Sequence, residues 1–308
     1  MTQEQIPLLV LCGPTASGKT AWALRLAETF PLEIISADSR QVYRQMNIGT
    51  AKATAAEQRQ VVHHMIDLID PNQEFSVAEF VDLSRPLIKK IYRSGKLPCV
   101  VGGTGLYIRA LLGGLAELPS ADEGLRTELH QREDLEGAGT LHRQLEQIDP
   151  ASAASIHPNN LIKIVRALEV YHLSGRLMSE LQAEHRFAEQ PYKTIKLAPQ
   201  LERETLYRRI AGRAELMLDE GLVSETEELV SRYSANLKAL QTLGYREVLG
   251  FLSGQFDSPR MIELITLHTR QYAKRQLTWF RKEPEIIWVD SLNESGRVLK
   301  SIESILLS

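Results

Sequence analysis

The sequence predicts an α/β protein in which a parallel sheet is flanked by helices and interrupted by an inserted all-helical subdomain. Short apolar runs bounded by turn residues alternate with stretches of helical apolar spacing, which is the pattern of a parallel sheet. Six runs are predicted as buried strands: residues 8–12, 32–36, 65–69, 97–101, 194–197 and 286–289. A glycine-rich segment directly after the first run adds a loop of specific chemistry to this pattern.

That segment matches the pattern GxxxxGK[ST] and is followed by a helical pattern at 21–29. Its residues are Gly13, Pro14, Thr15, Ala16, Ser17, Gly18, Lys19 and Thr20. In such a loop, backbone N–H groups converge on phosphate oxygens at a helix N-terminus, Lys19 adds a positive charge, and Thr20 can hold Mg²⁺. The sequence therefore predicts a P-loop-type core that binds phosphates, with a glycine-rich turn without a ligand as the alternative.

The fourth and fifth predicted strands are separated by residues 102–193, far more than one crossover helix requires. Within this stretch, residues 125–136, 141–147 and 161–173 combine helical apolar spacing with strong helix formers. We therefore expect a helical insertion domain at 115–190, between the two parts of the α/β core at 1–114 and 191–308. Residues 202–282 are again predicted to be helical.

The composition is typical of a globular chain, with 43% hydrophobic and 24% charged residues among 308. The net charge of −3 means that a nucleic-acid partner would need a local basic patch. No apolar stretch approaches the roughly 20 residues of a membrane span, and residues 1–5 lack the features of a signal peptide. We expect a cytoplasmic protein without membrane contact, whose two cysteines, Cys12 and Cys99, are reduced and buried.

Two polar residues follow predicted strands at positions suited to catalysis. An ordinary NTPase holds Mg²⁺ with an Asp after a later hydrophobic strand, but the run 97–101 leads without an acid to Thr104, and Asp38 instead follows the second strand. Ligands of open α/β sheets bind at the carboxyl ends of the strands, so Asp38, Thr104 and the phosphate loop should share one crevice. There Asp38 could act as a general base, a hydrogen-bond acceptor or an anchor for metal-bound water. The structural alternatives are a cap at Asp38 and a plain turn residue at Thr104.

Two other groups of titratable residues are interpreted as structural. Adjacent residues of a strand point to opposite faces, so His63 and His64 cannot chelate one ion together. A cluster of acids on a predicted helix is interpreted as a solvated face and not as a metal cage. This cluster consists of Asp219, Glu220, Glu225, Glu227 and Glu228.

The segment 270–282 is a candidate nucleic-acid surface, because it contains five basic and three aromatic residues and no acid. On a helix, Arg270, Lys274, Thr278 and Arg281 would lie along one stripe. This stripe suits a phosphate backbone, with a solvated basic face as the alternative. A weaker second patch in the insertion consists of Lys163, Arg166 and Arg176.

Seven segments, taken together, are far more specific than the phosphate loop alone. They are GPTASGKT at 13–20, ISADSRQVYRQMNIGTAK at 35–52, HHMIDLIDP at 63–71, VGGTGLYIRALLGGL at 101–115, RALEVY at 166–171, LQTLGYRE at 240–247 and TRQYAKRQLTWFR at 269–281. In content and order they resemble the tRNA dimethylallyltransferases, the isopentenyltransferases that prenylate an adenine beside the anticodon. The resemblance covers nearly the whole chain, and the one departure is Ala53, a loop position at which the family often has Pro.

The resemblance implies transfer of the dimethylallyl group from dimethylallyl diphosphate to N6 of adenosine 37, in tRNAs that read codons beginning with U, with release of diphosphate. It implies that the phosphate loop holds the diphosphate with Mg²⁺ at Thr20. Asp38 would take the proton of the adenine amino group, Thr104 would lie near the diphosphate and the base, and Arg213 near the leaving group. Arg126 and the helical insertion would contact the tRNA.

The tRNA contacts that the resemblance implies come from the core and the insertion. They are Asp38, Ser39, Arg40, Gln41, Thr104, Arg126, Ile162, Lys163, Ile164, Val165, Arg166, Gln241, Thr242, Leu243, Gly244, Tyr245, Arg246, Lys274, Arg275, Gln276, Leu277, Thr278, Trp279, Phe280 and Arg281. The partner would be the anticodon stem-loop bound to a monomer. Because the target amine lies in a stacked loop, we expect the base to be extruded into a channel.

Two alternatives remain at this point. A small-molecule or nucleotide kinase also combines a phosphate loop with an acid after the second strand and an inserted helical lid. A non-catalytic RNA-binding module could use a bound nucleotide as a switch. The kinase predicts ATP turnover without any tRNA, and the binding module predicts tRNA binding without a product.

Overall fold

The computed structural model describes residues 5–185, 189–283, 285–290 and 295–306. Residues 1–4 of the N-terminal segment considered above, and residues 186–188 of the expected insertion, lie outside these ranges. The backbone divides into two compact units. The first consists of Met1–Leu112 and Gln190–Ser308, and the second of Gly113–Glu189.

The first unit is built on a parallel sheet. Its strands are β1 (Ile6–Cys12), β2 (Leu32–Ala37), β3 (His63–His64), β4 (Leu97–Gly102), β5 (Tyr192–Pro199) and β6 (Ile286–Val289). Within the described residues, the six strands lie in the order β3-β2-β4-β1-β5-β6 and every neighbouring pair is parallel. The predicted α/β class is thereby confirmed, and five of the six predicted strands are found at their predicted places.

The third strand was predicted at the wrong residues. The segment 65–69 is a short, mostly apolar run, but Met65 and Asp67 have φ angles of 63° and 54°, which no strand accommodates. The strand is the short segment His63–His64, which pairs with Ile34 and Ile35 of β2. The apolar residues at 65–69 instead belong to a loop, in which Ile69 forms an isolated bridge with Tyr43 outside the strands of the sheet.

Helices flank the sheet in the first unit and make up the second. Up to the insertion they are α1 (Lys19–Ala27), α2 (Ala55–Gln60), α3 (Val77–Arg93) and α4 (Gly105–Gly113). The second unit contains α5 (Glu123–Glu136), α6 (Thr140–Ile148), α7 (Pro150–Ser155), α8 (Leu161–Ser174) and α9 (Met178–His185). The chain then forms α10 (Arg203–Asp219), α11 (Leu222–Arg232), a 3₁₀ turn (Lys238–Gln241), α12 (Tyr245–Leu252), α13 (Ser258–Phe280) and α14 (Ser295–Leu306).

Local sequence signals explain where several of these helices begin. Ser76 caps α3 in a capping box with Glu79, in which each side chain accepts from the other residue's backbone N–H. The Asp257 side chain accepts from the N–H of Arg260 at 3.0 Å, and a proline occupies the first turn of α13. These signals are independent of tertiary contacts, so the helix starts are encoded locally.

Both faces of the sheet are covered. On one face Leu9 and Leu11 of β1 pack in a cluster that includes Trp22 of α1 and Ile302 of α14. Side chains of a strand alternate between faces, and Leu8, on the other face, is also fully buried. Helix α3 contacts β1 and β4. Burial on both faces explains why the strands appear in the sequence as continuous apolar runs.

The second unit has its own core, formed by apolar side chains that recur at helical spacing. Leu129 of α5, Leu141 and Leu145 of α6, and Leu168 of α8 are fully buried in it. The three helices predicted in the insertion are confirmed as α5, α6 and α8, whereas α7 and α9 were not predicted. All secondary structure described in this unit is helical.

Two further expectations can be compared with the described residues. Cys12 and Cys99 are free and buried, as predicted, and burial raises the pKa of the Cys12 thiol to about 12. Among the helices of the described ranges, none is long and apolar enough to cross a membrane.

Candidate active site

A cavity of about 770 Å³ opens in the first unit at the carboxyl ends of β1, β2 and β4. Its lining residues come from the phosphate loop, from the turn after β2, from the glycines at the end of β4 and from helices α10, α12 and α13. This is the crevice at which open α/β sheets bind their ligands. Residues far apart in the sequence therefore contribute to one site.

The phosphate loop has the backbone conformation that its glycines predict. Gly13 and Gly18 have φ angles of 133° and 89°, and Ala16 has one of 60°. Gly18 is the N-cap of α1, so the free N–H groups of the first helical turn lie at the loop. Helix N-termini of this kind attract anions. The Ser17 hydroxyl in the loop is buried and has no hydrogen-bond partner among the residues that the structure describes.

Two cations of the site lie close to this loop. The Lys19 Nζ donates to the carbonyl oxygen of Pro14 at 2.7 Å, and burial, followed by the positive charge of Arg213, lowers its pKa to about 8. Arg213, on α10, donates to the Thr15 hydroxyl at 3.3 Å. Burial also lowers the pKa of Arg213, an effect that the carboxylate of Asp38 opposes. The structure thus brings the predicted Lys19, Arg213 and Asp38 together.

Arg209 is a third cation beside the loop that the sequence did not single out. Its guanidinium donates to the carbonyl oxygen of Ser17 at 3.4 Å. Arg209 and Arg213 are four residues apart on α10, so they lie on the same helix face. That spacing is the signal that could have identified Arg209, once Arg213 was placed near a phosphate.

Asp38 lines the cavity and also caps the turn that it starts. Its Oδ1 accepts from the backbone N–H groups of Arg40 at 2.8 Å and Gln41 at 3.4 Å. The structural alternative considered for Asp38 is therefore present, and it does not remove the carboxylate from the cavity. Asp38 interacts with Lys19 and Arg213 across the site, and its charge, after burial, contributes to raising the pKa of Tyr272 to about 12.

Thr104 joins the end of β4 to the Asp38 turn. Its hydroxyl accepts from the N–H of Ser39 at 3.1 Å, and its own N–H donates to the carbonyl oxygen of Ala37 at 3.1 Å. A side chain at Gly102 would place Cβ 2.1 Å from that same carbonyl oxygen, so only glycine allows this approach. The contacts of Thr104 hold the Asp38 turn, and its predicted place near a diphosphate stays a prediction.

Gln276 of α13 holds two loops of the site together. Its Oε1 accepts from the N–H of Thr15 at 2.8 Å, and its Nε2 donates to the carbonyl oxygen of Gly103 at 2.9 Å. A Cβ at position 103 would lie 2.3 Å from Nε2. Gln276 was predicted only as one member of a tRNA-binding segment, and this bridge between the phosphate loop and the loop after β4 was not predicted.

Residues 46–52, named the strap below, form another wall of the cavity. Gly49, Thr50 and Ala51 of the strap line the cavity. The Gln41 side chain donates to the carbonyl oxygens of Thr50 and Ala51 at 3.3 and 3.1 Å. From the other side, the strap is held by Glu225.

The interpretation of the acidic cluster as a solvated face is wrong for one of its members, Glu225 on α11. Its carboxylate accepts from the N–H groups of Asn47, Ile48 and Gly49 at 3.0, 2.9 and 3.2 Å. It also accepts from the Tyr245 hydroxyl at 2.6 Å. Glu225 is half-buried, whereas Glu227 and Glu228 on the same helix are exposed. The sequence pattern could not separate Glu225 from these neighbours, because the strap residues that Glu225 bonds lie about 180 residues away along the chain.

Helices α12 and α13, with the residues just before α12, supply a further wall of the cavity. Within the predicted segment 241–246, Gln241, Thr242, Leu243 and Arg246 line the cavity, whereas Tyr245 is fully buried in the core. From α13 the lining side chains are His268, Gln271, Tyr272, Arg275 and Gln276. His268 was not predicted.

The predicted basic stripe of α13 is exposed over most of its length. Lys274, Thr278 and Arg281 are exposed, and Arg270 is half-buried with its guanidinium 4.9 Å from the ring of Tyr207. The opposite face of the helix is core. Its buried side chains are Ala273, Gln276 and Phe280, and Leu277 and Trp279 are half-buried.

In the second unit, the predicted tRNA-binding residues fall into two groups. Ile162 is 80% exposed and Lys163 is also exposed, whereas Ile164 and Val165 lie in the core. Arg126 and Arg166 both form ion pairs with the buried carboxylate of Glu169. The two arginines are half-buried, so part of each side chain is available at the surface of this unit.

The adjacent histidines make separate structural contacts. His64 lies 2.6 Å from Glu33, and His63 Nδ1 lies 2.8 Å from the carbonyl oxygen of Val61. His63 also lines the cavity, and burial lowers its pKa. Within the described parts of the chain, no group of three or more His, Cys, Asp or Glu side chains could hold a metal ion.

Comparisons with known proteins place these features in one family. Two family models match, IPP transferase over residues 41–283 and isopentenyl transferase over residues 6–68. The tRNA dimethylallyltransferase 1 of Syntrophotalea carbinolica is 50% identical over 301 residues, which are 97% of this chain and 96% of that protein. The tRNA dimethylallyltransferase of Geobacter metallireducens is 48% identical over 301 residues, with 97% of each chain covered.

Solved structures give the same result. A full-length tRNA isopentenylpyrophosphate transferase from Bacillus halodurans superimposes with a TM-score of 0.71 at 39% identity, over 98% of this chain and 96% of that chain. A eukaryotic dimethylallyltransferase, captured in crystals acting on tRNA, superimposes with a TM-score of 0.82 at 27% identity, over 96% of this chain and 78% of that chain. Likeness therefore extends over nearly all of this chain in both sequence and structure.

Proposed function

Because the chain belongs to the IPP transferase family, we propose that it transfers the dimethylallyl group of dimethylallyl diphosphate to N6 of adenosine 37, in tRNAs that read codons beginning with U. Diphosphate is the second product. One observation carries the proposal: a phosphate-binding loop and a wall of arginine, histidine, tyrosine and glutamine side chains line the same cavity. Binding groups for a diphosphate and for an RNA base are thus available in one space.

The phosphate loop suits a diphosphate leaving group. As C1 of an allylic diphosphate departs with carbocation character, negative charge builds up on the diphosphate oxygens. The N–H groups at the start of α1 and the cations Lys19 and Arg213 already lie around the loop. Groups held in place before the reaction stabilise such charge without further reorganisation.

Mg²⁺ fits the hydroxyl groups of this loop. Thr20 lines the cavity, and the buried Ser17 hydroxyl finds no partner within the described parts of the chain. Oxygen atoms are the ligands that Mg²⁺ prefers, and it is usually shared between a protein and substrate phosphates. Thr20 would hold the ion together with diphosphate oxygens. When bound, Mg²⁺ neutralises charge on the leaving group.

Asp38 is the proposed general base. An adenine amino group is a weak nucleophile, so a carboxylate that orients it and accepts its proton favours attack on C1. The turn amides of Arg40 and Gln41 hold Oδ1, which fixes the carboxylate at the cavity wall. The cap and the base are therefore compatible roles, in which one oxygen orients the group and the other receives the proton.

Exposed side chains of the predicted segments are the proposed tRNA contacts. In the first unit these are Arg40, Gln241, Arg246, Lys274, Arg275, Thr278 and Arg281. In the second unit they are Ile162 and Lys163, together with the accessible parts of Arg126 and Arg166. Buried members of the same segments, such as Val165, Tyr245 and Phe280, would act by packing beneath the contact surface.

The experiment is incubation of the purified protein with dimethylallyl diphosphate, Mg²⁺ and an unmodified tRNA carrying adenosine at position 37. Digestion and mass spectrometry should then show an adenosine heavier by one five-carbon unit. A tRNA with guanosine at that position is the matched control and should stay unmodified. The kinase alternative, which the named relatives do not favour, predicts ATP consumption and no mass shift, and the switch module predicts tRNA binding without product. Either result would overturn the proposal.

A further inference from the structure

His268 lies in the cavity with its imidazole ring held by a buried carboxylate. The Nδ1 atom is 2.7 Å from Oε1 of Glu247, and the Glu247 side chain is only 2% exposed. That carboxylate also accepts from the backbone N–H of Gly244 at 2.7 Å and from the guanidinium of Arg246 at 2.7 Å. Glu247 therefore fixes the backbone before α12, the arginine and the histidine ring at the same time.

Nδ1 is occupied by two neighbours, Oε1 of Glu247 at 2.7 Å and a guanidinium nitrogen of Arg246 at 3.1 Å. When Nδ1 carries the hydrogen and donates it to Glu247, Nε2 is an acceptor, and when Nδ1 accepts from Arg246, Nε2 is a donor, so in either form Nε2 can hydrogen-bond to a ligand. The remaining polar atom of the ring is Nε2, and it has no hydrogen-bond partner among the described residues. The ring lines the cavity and is 29% exposed, so Nε2 is accessible to a ligand.

The neighbours of His268 on α13 suit a nucleobase. Gln271, Tyr272 and Arg275 follow at three, four and seven residues, so the four side chains lie along one helix face, and all of them line the cavity. Single-stranded RNA is recognised by aromatic rings that stack on bases and by polar groups that bond to base edges. This face offers Tyr272 for the first interaction, and His268 and Gln271 for the second.

We propose that His268 is a specificity-determining residue for the RNA substrate, whose Nε2 hydrogen-bonds to the edge of a base in the single-stranded loop that carries the target adenine. The proposal rests on the proposed function, because it assumes an RNA substrate in this cavity. A base edge is the expected partner because the ring is held in one orientation inside a cavity, where a directional bond selects among bases. The exposed Arg275 at the same wall suits the sequence-independent phosphates.

The test measures binding of a fluorescent anticodon stem-loop by anisotropy, without dimethylallyl diphosphate. His268→Ala should raise Kd about tenfold, which is the usual effect of losing one hydrogen bond to a ligand that stays bound. His268→Phe keeps a ring of similar size without its nitrogens and should bind as weakly as His268→Ala. His64→Ala is the matched control, since His64 is also held by a carboxylate, at 2.6 Å, but belongs to β3 and not to the α13 wall. It should bind like the wild type.

A second arm identifies the base. Stem-loops with one abasic position each are titrated against the wild type and His268→Ala, and at one position the two losses should not add, because both changes remove the same bond. Additive losses at every position, wild-type binding by His268→Ala, or full binding by His268→Phe would each overturn the inference. These results concern only His268 if the wild type still prenylates tRNA, whereas the proposed function itself fails only if the wild type forms no prenylated adenosine.

Discussion

The strap at 46–52 depends on one carboxylate, and replacing Glu225 with Gln is the sharpest perturbation of it. Glu225 Oε2 accepts from the N–H groups of Asn47 at 3.0 Å and Ile48 at 2.9 Å, and Oε1 accepts from the Tyr245 hydroxyl at 2.6 Å. A Gln side chain keeps one acceptor oxygen and replaces the other with an amide NH₂, which cannot accept. At least one strap amide therefore loses its partner, and the remaining bonds lose their charge.

Loss of a hydrogen bond to a charged group costs about 2 kcal/mol, and that energy is removed from the closed state of the strap. Local opening should become about thirtyfold more frequent, since each 1.4 kcal/mol is a factor of about ten. Hydrogen–deuterium exchange of the peptide that covers 46–52 measures this opening directly, and in Glu225→Gln it should accelerate by that factor.

Glu227→Gln is the matched control, because Glu227 is exposed on the same helix and makes the same change of charge. Its exchange rates should equal those of the wild type. Tyr245→Phe removes only the hydroxyl that donates to Glu225, so its effect should be smaller and should not add to that of Glu225→Gln. If Glu225→Gln and Glu227→Gln exchange at the same rate, the carboxylate does not hold the strap and this reasoning is wrong.

Three further predictions concern the proposed reaction. Asp38→Ala should lower the transfer rate at least about a hundredfold, because a general base contributes that much. Its tRNA affinity, measured by a binding titration, should stay within about threefold of that of the wild type. Normal turnover would remove Asp38 from the mechanism. Lys274→Ala with Arg281→Ala should weaken tRNA binding and flatten the dependence of log Kd on log salt, and an unchanged slope would identify the stripe as a solvated face. Because the pKa of Lys19 is lowered to about 8, its charge is lost above that pH, and kcat/KM for dimethylallyl diphosphate should fall there in the wild type. In Lys19→Arg the charge persists, so kcat/KM should stay level. Identical pH profiles for the two proteins would contradict this role of the Lys19 charge.

Local sequence signals predicted most of the fold because its elements depend on short-range patterns. The phosphate loop needs glycines at φ angles that other residues avoid, and Gly13 and Gly18 adopt them. The strand predicted at 65–69 was wrong because that segment depends on a contact with a residue distant in the sequence. Asp67 accepts a hydrogen bond from the buried ammonium of Lys52 at 2.6 Å, and this segment has a loop conformation although four of its five side chains are apolar. No pattern within a window of a few residues contains that partner.

The site shows the same distinction between local and distant partners. Asp38 could be predicted because it follows a strand, and strand ends meet at one edge of a parallel sheet. Glu225 could not, because its neighbours in the sequence are solvated acids and its partners belong to the strap. His268 was missed for a similar reason, since the carboxylate that orients it belongs to another helix.

The basic segment of α13 was difficult to interpret because the helix has two faces with different roles. One face is exposed and basic, and the other packs inward and holds loops of the cavity. Gln276 faces inward and joins the phosphate loop to the loop after β4, whereas Lys274 and Thr278 of the same helix are exposed on its outer face. The sequence composition is the same for two kinds of helix. One is a solvated basic helix, and the other is an amphipathic helix with a basic outer face and an inner face that holds these two loops. The inner face separates the two cases, because a helix that was only a solvated surface would have no need of a buried glutamine bonded to two separate loops of a cavity. The hydrogen bonds of Gln276 therefore make α13 part of the cavity and its two loops, whatever its outer face binds.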